Sequence, residues 1–148
     1  MEISEILNID RTQLDVNANS KKAALETIAG LITADEPTLT PSEAFTSLIA
    51  REKLGSTGLG KGIALPHGRL KDCNKTLGAF IRLSSGIDYD SVDNAPVDLM
   101  FALLVPEEST QEHLDILTKL AEKFSNEKIL ENLREETSVD KLFEILTT

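Results

Sequence analysis

Val97-Asp98-Leu99-Met100-Phe101-Ala102-Leu103-Leu104-Val105-Pro106 is a nearly continuous apolar run, broken only by Asp98 and closed by a proline. A short run of this kind, rich in branched residues and without alternation, reads as a strand covered on both faces. Such a strand belongs at the centre of a sheet, and helices must lie on both sides of it. Upstream, Leu77, Ala79, Ile81 and Leu83 alternate with Gly78, Phe80, Arg82 and Ser84. That alternation predicts a second strand with one better-protected face. A short strand over Gly86 to Tyr89, a turn over Val92 to Pro96 and a weak strand over Gln13 to Val16 are expected.

Helix signals stand outside these strands. Residues 3–8 form a short first helical turn. Ser20 is placed to cap a helix running to about Ala34, with Ala23, Ala24, Ile28, Leu31 and Ile32 at helical spacing. Thr40-Pro41-Ser42-Glu43 combines a capping box with proline at the first helical position. The helix it opens carries Ala44, Phe45, Leu48 and Ile49 on one face. After Pro106, a second box, Ser109-Thr110-Gln111-Glu112, leads into helices near 110–124, 126–135 and 138–147. Helices before and after strands define an α/β layered fold with a small sheet between helices.

Composition narrows the class. The 148 residues are 41% hydrophobic with only 4% aromatics, so the core is aliphatic. One compact domain over residues 1–148 is the expectation for this length. A net charge of −10 gives no electrostatic reason to bind nucleic acid or anionic lipid. No run approaches a membrane span, so no membrane insertion is expected. The start, Met1-Glu2-Ile3-Ser4-Glu5, lacks a secretory pattern, and Cys73 is the single cysteine. Both suit a reducing, cytoplasmic setting.

The chemistry concentrates between the second helix and the sheet. Gly55-Ser56-Thr57-Gly58-Leu59-Gly60-Lys61-Gly62 sets four glycines within eight residues, and the run Ile63-Ala64-Leu65 then leads to Pro66-His67. Glycines let backbone N–H groups approach an anion. His67 is one of two histidines, and imidazole exchanges a proton near neutral pH. Together they suggest phosphate chemistry with His67 as nucleophile. An ordinary glycine-rich turn with a solvent-facing histidine is the plainer alternative. A nucleotide-binding P-loop is a third, since Gly55, Gly60 and Lys61 match its spacing. It fails at Gly62, where a Ser or Thr must hold magnesium, and it fails in context, with a helix before and a strand after.

Two more residues are candidates. His113 falls within the apolar arc of the 110–124 helix, with Leu114, Ile116, Leu117, Leu120, Ala121 and Phe124. It is either a core histidine satisfied by a carbonyl or a second imidazole lining a pocket at the strand end. Arg51, near the end of the helix entering the glycine loop, suits a helix C-terminus as a cation. It equally suits a clamp on phosphate oxygens. No zinc-ligand spacing and no Gly-x-Ser-x-Gly elbow is present, so no metal site is expected.

The segment from Arg51-Glu52-Lys53-Leu54 through His67-Gly68 resembles the active-site segment of enzyme IIA domains of the bacterial phosphoenolpyruvate:sugar phosphotransferase system, in the fructose/mannitol class. Asn94-Ala95-Pro96 through Pro106 resembles that family's second signature, and His113 follows at the matching distance. The likeness runs from about Ile3 to Leu146. The Arg-Glu-Lys-x-Gly-Ser-Thr-Gly wording and Ile3-Ser4-Glu5-Ile6-Leu7-Asn8 resemble the nitrogen-regulatory branch.

The resemblance implies a three-layer α/β/α sandwich with a mixed sheet. It implies that His67 accepts a phosphoryl group through Nε2 from an HPr-like phosphocarrier protein or its nitrogen-branch equivalent. It implies that His113 is a second active-site histidine, that Arg51 holds phosphoryl oxygens, and that Thr57 and Gly58 offer hydroxyl or backbone contacts. No cofactor is implied, because donor and acceptor are both phosphohistidines. The output is either regulation of target proteins through the phosphorylation state, or relay to a IIB domain for fructose- or mannitol-type uptake. A monomer or weak dimer is expected.

Overall fold

The computed structural model describes residues 1–109 and 111–148, and of Glu112 and His113 the backbone alone. The 97–106 run is strand β6 (Val97–Pro106), and Leu99 to Val105 are wholly buried. Its side chains divide by parity, as a pleated strand requires. Met100, Ala102 and Leu104 enter one core; Leu99, Phe101 and Leu103 enter another. The first core is closed by α2 (Lys21–Thr33) and α3 (Pro41–Leu54). The second is closed by α1 (Ile3–Ile6), α4 (Gln111–Phe124), α5 (Glu127–Glu135) and α6 (Val139–Thr147). The result is the three-layer α/β/α sandwich.

The sheet is mixed. Strand β5 (Leu77–Ile87) lies antiparallel to β6, with Ala79 opposite Ala102 and Phe80 opposite Phe101. Strand β1 (Thr12–Val16) runs parallel to β5 at the outer edge. On the other side of β6, two short strands share one edge. β3 (Ile63–Ala64) pairs with Leu99 and Met100, and β4 (His67–Leu70) pairs with Leu103 to Pro106, both parallel. β2 (Gly58–Gly60) is antiparallel to β3.

The helix starts follow their caps. Ser20 Oγ accepts from the Ala23 N–H at 3.1 Å. Thr40 Oγ1 accepts from the Glu43 N–H at 3.1 Å, with Pro41 as the first helical residue. The return arm of this box differs from the usual one: the Thr40 hydroxyl itself donates to Glu43 Oε1 at 2.8 Å. The second expected box falls on Thr110 and the Glu112 side chain, which lie outside the described residues.

Three expectations are corrected. β5 is protected on both faces: Phe80 is fully buried against Phe101 at 6.3 Å between ring centroids. Arg82 on that face donates to the carbonyls of Leu133 (2.8 Å) and Glu136 (2.5 Å), so the C-terminal end of α5 covers it. The proposed strand over Gly86 to Tyr89 is instead the end of β5, which stops at Ile87. Leu114, expected within the apolar arc of α4, is 57% exposed. It stands in the first turn of α4, over a cleft rather than over the sheet.

Candidate active site

Pro66 decides where His67 stands. It has no N–H to give the ladder, so it separates β3 from β4 along the same edge of β6. Its carbonyl still accepts from the Leu103 N–H at 3.0 Å. His67 is therefore the first residue of a strand anchored to the buried centre of the sheet, yet it lies at a break and is half-buried.

The His67 Nδ1–H donates to the carbonyl oxygen of Leu65 at 2.8 Å. In the neutral ring this bond assigns the proton to Nδ1 and the electron pair to Nε2. Burial is the main reason that the His67 pKa lies below the ordinary value of 6.5. The positive charges of Arg51 and Arg69 push the same way, while the Leu65 bond and the Glu52 carboxylate oppose them. The unprotonated, nucleophilic form is favoured.

Two clefts open on either side of this ring, and His67, Arg51 and Leu117 line both. One, of about 320 Å³, has Ser56, Thr57 and Gly58 along its wall. The other, of about 480 Å³, is bounded by Ser47, Gly68, Arg69 and Leu114. Arg51 comes from the last turn of α3, and its Nη1 donates to Gly55 O at 2.8 Å. It thus satisfies a carbonyl at the helix end and lines the clefts as well. Gly55 makes the exit from α3 possible: φ +155° with ψ 147° is a conformation open to glycine.

The wall of the smaller cleft is held from below. The Thr57 hydroxyl donates to Glu52 Oε1, and the Thr57 N–H donates to Glu52 Oε2 at 3.3 Å. The Gly58 N–H donates to Ser56 Oγ at 3.1 Å, and the Ser56 hydroxyl donates to Tyr89 O at 2.9 Å. Glu52, Tyr89 and Ser56 were not singled out in the sequence. Tyr89 being the only tyrosine was the one signal available. His113 occupies the first turn of α4; its side chain is outside the described residues.

The P-loop spacing has no P-loop geometry. Gly60 at the end of β2, and Lys61 and Gly62 in the turn before β3, take positive φ (93°, 61° and 82°), not at a helix N-terminus. Lys61 Nζ turns to Glu127 Oε1 at 3.4 Å. Among the described residues, no three His, Cys, Asp or Glu side chains gather as metal ligands would, and no helix is long and apolar enough to cross a membrane.

The chain belongs to the family described as "Phosphoenolpyruvate-dependent sugar phosphotransferase system, EIIA 2", whose profile matches residues 5–148. It is similar to the nitrogen regulatory protein of Escherichia coli K12, 42% identical over 148 residues, covering 99% of this chain and 90% of that one. The crystal structure of nitrogen regulatory protein IIA-Ntr from Neisseria meningitidis superposes with a TM-score of 0.92 at 44% identity, covering 98% of this chain and 99% of that one. The crystal structure of IIA mannitol from Escherichia coli follows at a TM-score of 0.78 and 25% identity, covering 95% and 98%. The chain therefore lies nearer the nitrogen regulatory members than the mannitol one.

Proposed function

We propose that this chain is a phosphocarrier whose phosphorylation state is a regulatory signal, and that His67 is the residue phosphorylated. The observation that supports this most is the pinned imidazole between two clefts: Nδ1 held by Leu65 O, with Arg51 alongside. The donor is a phosphohistidine carrier protein of HPr type. The His67 Nε2 lone pair forms a new P–N bond as the donor's P–N bond breaks, and the donor imidazole leaves with the electron pair. The proton stays on Nδ1, and its hydrogen bond to Leu65 O stabilises the positive ring that results. The migrating group is close to metaphosphate, so the protein mainly positions it and balances charge. Arg51 and His113 contact its oxygens, and Thr57 and Gly58 form the backbone wall against which it sits.

Exposed Leu54, Leu59 and Leu114 surround the clefts and offer a carrier an apolar seat. The phosphorylated patch then gains charge and acceptor oxygens, which switches its affinity for regulatory target proteins. Regulation is preferred to sugar relay through a IIB domain because the nitrogen regulatory relatives are the more similar. We further infer that residues 1–148 form one domain working in the cytoplasm, without metal or nucleotide. The test is incubation with a phosphorylated HPr-type carrier, followed by mapping of the label. Label at His67 supports the reading; label elsewhere overturns it. Offering the labelled protein to IIB domains then separates relay from regulation.

A further inference from the structure

The buried network beneath the glycine loop is not explained by chemistry at His67. Glu52 follows Arg51 in the last turn of α3, and its side chain is only 2% exposed. A carboxylate this far from water persists only when its oxygens are paired. Thr57 donates to it twice, from the hydroxyl and from the backbone N–H. The Tyr89 hydroxyl donates to Oε1 at 3.0 Å. Lys21 Nζ, from the first residue of α2, lies 2.9 Å from Oε2 and 4.3 Å from the centroid of the Tyr89 ring. One carboxylate thus joins the start of α2, the end of α3, the glycine loop and the segment after β5.

Arg51 and Glu52 are neighbours on one helical turn, and they grip the two ends of one short loop. Arg51 holds Gly55 O, and Glu52 holds Thr57. Both donors of Thr57 end on Glu52, so the cleft wall stands where that carboxylate puts it. We propose that Glu52 is a positioning residue for phosphoryl transfer. It acts through Thr57, sets the wall facing His67 and fixes the distance between that wall and Arg51. The role rests on the reading of His67 as acceptor and adds to it a residue that touches no reacting atom.

Glu52→Gln tests this. Glutamine keeps the shape and one acceptor oxygen but places an NH₂ where the other oxygen meets the Thr57 N–H and Lys21. The transfer rate at saturating phosphorylated carrier falls roughly 10- to 100-fold, the scale on which misplacing a positioned group acts. The half-saturating carrier concentration and the final stoichiometry at His67 stay as in the wild type. Hydrogen exchange at the Thr57 amide speeds up in the unphosphorylated variant, a readout that needs no carrier. Tyr89→Phe, which removes one donor to Glu52 and keeps the packing, gives a smaller loss of rate in the same sense. A folded Glu52→Gln protein with unchanged saturating rate and unchanged Thr57 exchange overturns the proposal. If that variant does not fold, an unchanged rate and exchange in Tyr89→Phe overturns it instead. A wild-type protein that takes no phosphoryl group on His67 overturns the underlying reading, and this role with it.

Discussion

The carbonyl oxygen of Leu65 lies 2.8 Å from Nδ1 of His67, two residues further along the chain and across Pro66. The backbone therefore chooses the tautomer. A side-chain partner could be lost to one substitution, but this carbonyl cannot. His67→Ala is accordingly expected to abolish labelling from the phosphorylated carrier and leave the fold intact. Intact-mass spectrometry and circular dichroism check both halves, and full labelling of the variant at another residue would refute the assignment.

The depressed pKa of His67 has a thermodynamic sign. Between its folded value and 6.5, the unfolded chain binds more protons at this residue than the native one. Stability due to His67 therefore rises with pH across that window, and it is lost as pH falls through 6.5 toward the lower value. His67→Gln removes this dependence. Urea unfolding of both proteins from about pH 5 to pH 7 should show wild type gaining on the variant as pH rises. A constant difference contradicts the shift.

Arg51→Ala keeps the acceptor and removes a guanidinium from both clefts. Losing one charge-assisted contact to phosphate raises the transfer barrier by about 1.5–3 kcal/mol. Single-turnover kinetics measures this directly. An unchanged rate leaves Arg51 with only its bond to Gly55 O.

His113→Ala separates a pocket residue from a core residue. A residue of the phosphate pocket gives slow phosphorylation or slow onward transfer with a small change in melting temperature. A satisfied core histidine gives the reverse, because its loss leaves a cavity and an unpaired group. Thermal melts paired with labelling kinetics decide.

Gly62→Ala tests the turn behind the site. Glycine at φ +82° there leaves room for Arg134, whose Nη2 would lie 2.3 Å from an added Cβ. Arg134 donates to Asp98 and to Lys61 O, tying α5 to β6 and the glycine loop. Strain at φ +82° alone costs about 1–3 kcal/mol, and displacing Arg134 adds to it. Chemical denaturation reads the loss.

The parts of this molecule that announce themselves do so through local rules. Thr40-Pro41-Ser42-Glu43 opens a helix wherever it occurs, and the 97–105 run has no solution but a buried strand. The second face of β5 was hidden because Gly78 and Arg82 counted as polar. The Arg82 guanidinium is satisfied by carbonyls more than fifty residues further along the chain and by the Asp15 carboxylate of β1. β2 was hidden because Gly-Leu-Gly carries no strand pattern, and its pairing comes from β3. At the site, His67 and Arg51 were legible as residue types beside a glycine loop. Glu52 was not, because an acidic residue at a helix end normally faces water. Only the arrival of Lys21 and Tyr89 from distant segments makes its burial possible.

The shared edge of β6 also acts as a ruler. Ile63 is registered on Leu99 and His67 on Leu103, four steps along each strand, with Pro66 between them. Adding or deleting one residue in that interval would shift the histidine one place along β6 and turn it to the opposite face of the sheet. The interval from residue 63 to residue 67 is therefore fixed in length even though it contains a break. When sequences of this kind are aligned, a gap there marks a chain that presents its imidazole differently, or not at all.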